Sequence, residues 1–231
     1  MAHPFDAVPT DGAPSDAVLS GGVPGDSELV DELVEWPVCS SEIVYTGRVW
    51  DVRHDRVDYP GGVIERDYVQ HPGAVGVLPI TAAGEVLLIN QYRHPSRRRD
   101  WEIVAGLLDV AGESPLAAAQ RELAEEADLR ADSWHTLIDI IAAPGGSDEA
   151  IRIFLARGLS ATDRPFPRGE EEADLVSRWV PLETAVLAVL DRRIQNGPMC
   201  AALLAADASA RRGWAGLGDP NAPWSGHPAW R

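Results

Sequence analysis

Four glutamates and one arginine are gathered along one short stretch of this 231-residue chain. Glu113 closes a run that begins at Gly106, and Arg121, Glu122, Glu125 and Glu126 follow it. On a helix, Glu122 and Glu126 are four apart and share a face, and Glu122 and Glu125 are neighbours at three. Like charges so spaced cost a bare helix about 0.2–0.5 kcal/mol per pair. A compensating positive charge is therefore expected. Hard divalent cations suit the donor type, since Mg²⁺ binds through carboxylates, water and substrate phosphates. A solvated acidic face is the alternative reading of Glu-x-x-Glu-Glu.

The carboxylates need a helix and a loop to place them. Ser114-Pro115 reads as an N-cap followed by proline at the first helical position. Leu116, Ala119, Leu123 and Ala127 then give an apolar stripe from which the glutamates are offset. Ahead of this helix the chain alternates like strands. Residues 43–58 and 63–70 flank the turn signal Pro60-Gly61-Gly62. Residues 74–80 and 85–91 flank Ala82-Ala83-Gly84, and 101–104 lead into the glycine run. After the helix, 134–142, 151–157 and 175–180 read as strands, with a polar loop over 158–173. Helices are expected over 181–194 and, after Asn196-Gly197-Pro198, to about 212. Strands interspersed with few helices predict an α/β fold around a mixed sheet.

Residues 1–38 are a different material, rich in Pro, Gly, Ala, Asp and Ser, with eight acidic residues and no arginine. They read as a disordered acidic leader. The remaining expectation is an N-terminal β-strand region over 39–72, a main domain over 73–213 and an irregular tail over 214–231. The formal charge is −16, and all 20 basic residues are arginine. That balance argues against nucleic-acid binding, which wants a basic footprint. It does not exclude a phosphorylated small substrate, because bound metal reverses the local sign. No apolar run approaches the length of a membrane span, and no signal-peptide layout opens the chain. Cys39 and Cys200, far apart, suit reduced thiols in a cytoplasmic protein. His54, His71 and His94 have no zinc-like spacing and read as surface or core residues.

The run from Gly106 through Glu113 to Arg121-Glu122-Leu123-Ala124-Glu125-Glu126 resembles the Nudix box. Six residues separate Gly106 from Glu113, one more than usual, and Asp128 stands where the family has a closing glycine. The resemblance extends from about residue 40 to about 225 and is nearest to the ADP-ribose pyrophosphatase branch. His71-Pro72-Gly73-Ala74-Val75, Gln91-Tyr92-Arg93-His94-Pro95, Trp101-Glu102-Ile103-Val104-Ala105-Gly106 and Pro144-Gly145-Gly146-Ser147-Asp148-Glu149 carry it. It implies a Nudix-type α/β/α sandwich with a mixed central sheet, and a homodimer that exchanges its N-terminal strands to build an adenine pocket. Trp50 and Tyr68 are aromatic candidates for that pocket, or core residues.

By position, the resemblance assigns metal binding to Glu122 and Glu126, with the Ala105 carbonyl as a third ligand and Glu125 as a weaker one. Gly106, Glu113 and Arg121 become structural, the last two as a brace. Arg66, Arg93, Glu102 and Glu149 are expected at the substrate, Arg93 on phosphate and Glu149 on the terminal ribose. The general base falls in the acidic cluster of the later loop, at Glu171 with Glu172 beside it; Glu149 is the rival. Arg97-Arg98-Arg99 reads equally as a phosphate clamp or a solvated connector. The implied reaction is hydrolysis of ADP-ribose to AMP and ribose 5-phosphate with Mg²⁺ or Mn²⁺. Another nucleoside diphosphate sugar or dinucleotide as substrate, or a silent ADP-ribose-binding module, are the alternatives.

Overall fold

The computed structural model describes residues 29–167, 174–227 and 230. The chain divides after Pro37 into two units. Residues 29–37 are exposed and carry no helix or strand, and the rest of the acidic leader lies outside the described residues. The unit from Val38 contains, in chain order, β1 (Val38–Thr46), β2 (Asp51–Tyr59), β3 (Gly62–Gln70), β4 (Ala74–Pro79), β5 (Glu85–Arg93), β6 (Arg98–Glu102), β7 (Val104–Leu107), α1 (Pro115–Ala127), β8 (Leu129–Ile141), β9 (Ala150–Ala161), β10 (Val176–Pro181), α2 (Leu182–Leu190) and α3 (Gly197–Arg211).

β1, β2 and β3 form an antiparallel sheet of their own. The single strand expected over 43–58 is two strands, because the chain reverses at Gly47. The Gly47 N–H donates to the Trp50 carbonyl at 3.2 Å, and a β-carbon on Gly47 would lie 2.3 Å from that oxygen. Only glycine fits so close an approach. The second sheet is β10-β5-β6 and the third is β7-β4-β9-β8, in which β4 and β9 run parallel and the other pairs antiparallel.

β4 is buried along its whole length, as a strand covered on both faces must be. Its side chains alternate between two cores. Val75 and Val77 pack with Phe154 and Ala156 of β9 against Ala118, Ala119 and Leu123 of α1. Leu78 packs with Ile153 and Leu155 against Ala185 and Val186 of α2 and Met199 and Leu203 of α3. Helices therefore cover both faces of a mixed sheet, the α/β/α sandwich expected from the sequence.

The box helix begins and ends as its residues dictate. Ser114 caps it by accepting the Ala117 N–H at 3.2 Å, and Pro115 opens it. Asp128 ends it in the left-handed conformation, φ 55° and ψ 35°, where the Nudix pattern has glycine. That conformation costs a non-glycine residue about 1–2 kcal/mol. In return the Asp128 carboxylate accepts the Phe166 N–H at 2.7 Å and its carbonyl accepts the Thr162 N–H at 2.9 Å, and a hydrogen bond to a charged group contributes about 1.5–3 kcal/mol. Asp128 thus fastens the loop that leaves β9. α2 stops at Leu190, short of the expected 194, because Arg192 turns left-handed at φ 62°.

Candidate active site

α1 carries the carboxylates and β7 receives them. Glu122 and Glu126 are only 9% and 6% exposed, although they lie off the apolar stripe. The Glu126 carboxylate accepts the Ala105 N–H at 3.1 Å. Glu122 lies against Gly106 so closely that a β-carbon there would sit 2.0 Å from Oε1 and 2.3 Å from Cγ. The glycine before the box is thus a matter of space: it admits the glutamate side chain against the strand. Ala105 and Gly106 in turn form part of the wall of a cavity of about 520 Å³, within the usual range for small-molecule sites.

Arg121 stands among the glutamates. Its Nε and Nη2 donate to the two Glu113 oxygens at 3.0 and 2.9 Å, the fork-to-fork geometry of a strong pair. Its Nη1 donates to Glu122 Oε1 at 2.5 Å and to Glu125 Oε2 at 3.1 Å. The arginine is therefore more than a brace to Glu113: it also offsets the like charge of the helix face. These hydrogen bonds hold the Glu113 carboxyl below its usual range and raise the Arg121 guanidinium further, so both stay charged.

The same cavity carries the other candidates. Arg93 of β5 and Glu102 of β6, both expected at the substrate, face the cavity and are paired with one another. Arg93 Nη2 donates to Glu102 Oε2 at 2.6 Å and Nε to Oε1 at 3.0 Å, and Asn196 Nδ2 donates to Glu102 at 3.3 Å. Glu102 is 4% exposed, so a buried carboxylate orients the guanidinium. Glu149 also lines the cavity, on the loop between β8 and β9. Its Oε1 lies 3.7 Å from Nε2 of His71, whose spacing in the sequence suggests only a surface or core histidine. The His71 Nδ1 accepts the Gly73 N–H at 3.1 Å, so the ring proton sits on Nε2, toward Glu149. Burial pushes the His71 imidazole below its ordinary pKa. The Trp50 ring stacks obliquely on His71, centroids 5.2 Å apart, and lines the same cavity. His71 lies in a segment that carries the family resemblance and Asn196 in the break before the last helix, but nothing in their types marked them individually.

Other expected residues do not meet there. Arg66 is exposed on β3, donates to the Glu65 carbonyl at 2.7 Å and does not line the cavity. The Tyr68 hydroxyl donates to Asp55 at 3.1 Å, outside the cavity, and burial pushes its pKa to about 12. Of the arginine triple, Arg98 binds Gln195 and Arg99 binds Asp174 and Asn90, which makes them ties between elements and no clamp on the cavity. Glu171 and Glu172 lie outside the described residues.

Among the described residues, no group of three or more His, Cys, Asp or Glu is gathered to hold a metal ion. The donor set fits a hard cation nonetheless. Mg²⁺ is ordinarily held by one or two carboxylates, with waters and substrate phosphates completing its shell. Glu122 and Glu126, one turn apart on one helix and set against a cavity wall, are two carboxylates of that kind.

Comparison with known proteins shows the family of the chain. The family model described as NUDIX domain matches residues 70–202. A Mycobacterium tuberculosis protein named ADP-ribose pyrophosphatase is 43% identical over 175 residues, covering 75% of this chain and 84% of that protein. A Bacillus methanolicus protein named methanol dehydrogenase activator is 34% identical over 71% of this chain and 89% of its own length. An ADP-ribose pyrophosphatase of Bacillus subtilis is likewise 34% identical, over 71% of this chain and 88% of its own. A solved structure titled as an ADP compounds hydrolase superposes with a TM-score of 0.65 at 20% identity, covering 80% of this chain and all of that one; it bears on the fold alone.

Proposed function

This chain belongs to the NUDIX domain family, and on that premise we propose that it hydrolyses the pyrophosphate bond of ADP-ribose, releasing AMP and ribose 5-phosphate. The observation that carries the reading is the buried pair Glu122 and Glu126, set against the Ala105–Gly106 wall of the cavity. The named relatives supply the substrate. The water oxygen forms a bond to one phosphorus while the bridging P–O bond breaks, and the water's proton passes to a carboxylate.

Glu122 and Glu126 would hold Mg²⁺ or Mn²⁺, with the Ala105 carbonyl as a further ligand and Glu125 at its edge. The metal's part is to neutralise charge on the phosphate oxygens and acidify a bound water. The protein's own groups do the positioning. Glu102 and Asn196 hold the Arg93 fork against a phosphate. Trp50 offers a flat surface for a base. Glu149, with His71 beside it, accepts hydrogen bonds from ribose hydroxyls. Glu171, with Glu172 adjacent, takes the proton. Arg121 fixes Glu113 and Glu122 so that the carboxylates are set before substrate arrives.

The reading includes a homodimer. Val38, Ile43, Val44, Tyr45 and Val63 of the β1–β3 sheet are exposed, a concentration of apolar surface that suits a second copy. Arg66 on that sheet would then reach the second copy's substrate. The reading also places the enzyme in the cytoplasm, where its two free cysteines stay reduced; among the described residues no helix is long and apolar enough to cross a membrane. The test is product analysis of ADP-ribose with Mg²⁺, alongside a Glu126→Gln control. AMP and ribose 5-phosphate, formed by the wild type and not by the control, support the reading. Intact ADP-ribose, with turnover of another nucleotide sugar or of none, refutes it.

A further inference from the structure

Residues 214–227, in the tail expected to be irregular, form no helix or regular strand. They are nevertheless fixed. Thr136 and Gly218 exchange both backbone hydrogen bonds, at 3.0 and 2.9 Å. Arg152, 3% exposed, forks onto Asp139 at 2.8 Å through two nitrogens and donates to the Ala222 and Pro223 carbonyls at 2.7 and 3.2 Å. Its guanidinium also lies over the ring of Trp224, 5.1 Å from the centroid, and Trp224 is 1% exposed. A buried arginine on β9 thus holds the tail against the sheet, next to Ile151 of the cavity wall.

The tail then reaches the cavity wall from outside. His227 stacks on Trp224 with centroids 5.1 Å apart, and its Nε2–H donates to the Pro72 carbonyl at 2.8 Å. The neighbouring Gly73, at φ +86°, leaves the space that the ring occupies, since a β-carbon there would lie 2.4 Å from His227 Nε2. His71, Pro72 and Gly73 are the segment between β3 and β4 that presents His71 to the cavity. Its other fastenings are the His71 N–H to Asp148 at 2.7 Å and the Leu108 N–H to the Gly73 carbonyl at 3.1 Å. All three hold backbone, and only the tail's bond comes from a segment outside the Nudix-matched residues 70–202.

We propose that His227 is a positioning residue for substrate binding: held by Arg152 and Trp224, it fixes Pro72 and so sets His71, and through it Glu149, at the cavity. It touches neither substrate nor metal. The proposal rests on the cavity being the ADP-ribose site, and it makes the tail part of the substrate-binding machinery.

The experiment compares wild type with His227→Ala, His227→Gln and His227→Phe. Glutamine keeps an N–H donor at about the reach of Nε2; phenylalanine keeps the ring and loses the donor. Steady-state kinetics with ADP-ribose is expected to show KM raised about tenfold in the alanine and phenylalanine variants, kcat within about threefold, and glutamine near wild type. Backbone hydrogen exchange is expected to quicken at His71 and Gly73 in the same two variants and to stay unchanged in β5 and β10. Should the alanine variant not fold, the contrast between phenylalanine and glutamine decides. Equal KM in all four proteins, or exchange that quickens throughout the domain, overturns the proposal. If the wild type turns over no ADP-ribose, the proposed function fails by itself, and the exchange at His71 and Gly73 still decides whether His227 holds the wall.

Discussion

Gly106→Ala isolates the contact on which the candidate site is built. The added β-carbon would lie 2.0, 2.1 and 2.3 Å from Oε1, Cδ and Cγ of Glu122, whereas ordinary contact begins at 3.4 Å. The nearest atom must therefore retreat by 1.4 Å, the difference of 3.4 and 2.0. Because Cγ clashes as well as the carboxylate, rotating the end of the side chain does not suffice; the whole side chain must be re-routed. Doing so breaks the 2.5 Å bond from Arg121. An off-rotamer side chain costs about 0.5–1.5 kcal/mol and a lost charge-assisted hydrogen bond about 1.5–3 kcal/mol, so a destabilisation of about 2–4 kcal/mol is expected. For a chain of this size that lowers Tm by on the order of 10 °C. A ligand misplaced by about 1 Å is expected to cut metal-dependent turnover about 100-fold. The assay is chemical unfolding of Gly106→Ala, Glu122→Ala and the double variant, with turnover of ADP-ribose beside it. Glu122→Ala removes all three clashing atoms, so Gly106→Ala should cost little further stability in that background. Wild-type stability in Gly106→Ala, or costs that simply add in the double variant, would refute the reasoning.

Removing Arg121 leaves Glu113, Glu122 and Glu125 facing one another without their shared cation. Arg121→Ala is expected to lose about 3–5 kcal/mol by urea unfolding, as for a broken part-buried pair, and Arg121→Lys to recover less than half, since one ammonium cannot span three carboxylates. Acid titration of stability offers a separate check. Glu113 is held below its ordinary value by Arg121, so its contribution is present above about pH 4.3 and is lost as pH falls through its lower folded value. The stability gap between wild type and Arg121→Ala should therefore narrow on acidification below about pH 4.3; a gap constant from pH 7 to pH 3 would exclude that linkage.

Periodicity, caps and residue type carried a large part of this molecule. Ser114-Pro115 started the box helix where the sequence placed it, and the i, i+4 spacing put Glu122 and Glu126 on one face without any tertiary information. Asp128 ended the helix left-handed because the backbone there required a residue that tolerates positive φ. These are local effects, each decided within a turn or two of chain. What the sequence left open was decided by atoms from distant segments. Whether Glu122 faced solvent or a strand depended on β7 arriving with Gly106. Arg93 looked like a phosphate ligand alone; β6, paired with β5, brought the Glu102 side chain within its reach, and the buried carboxylate took hold of the fork. The tail is the clearest case. Glycine- and proline-rich residues around Trp224 have no period to read, and their order comes from a buried arginine, 3% exposed, on a strand some 70 residues earlier. Alternation could place Arg152 in β9, but the partner that made its burial tolerable was visible only once the chain had folded back on itself.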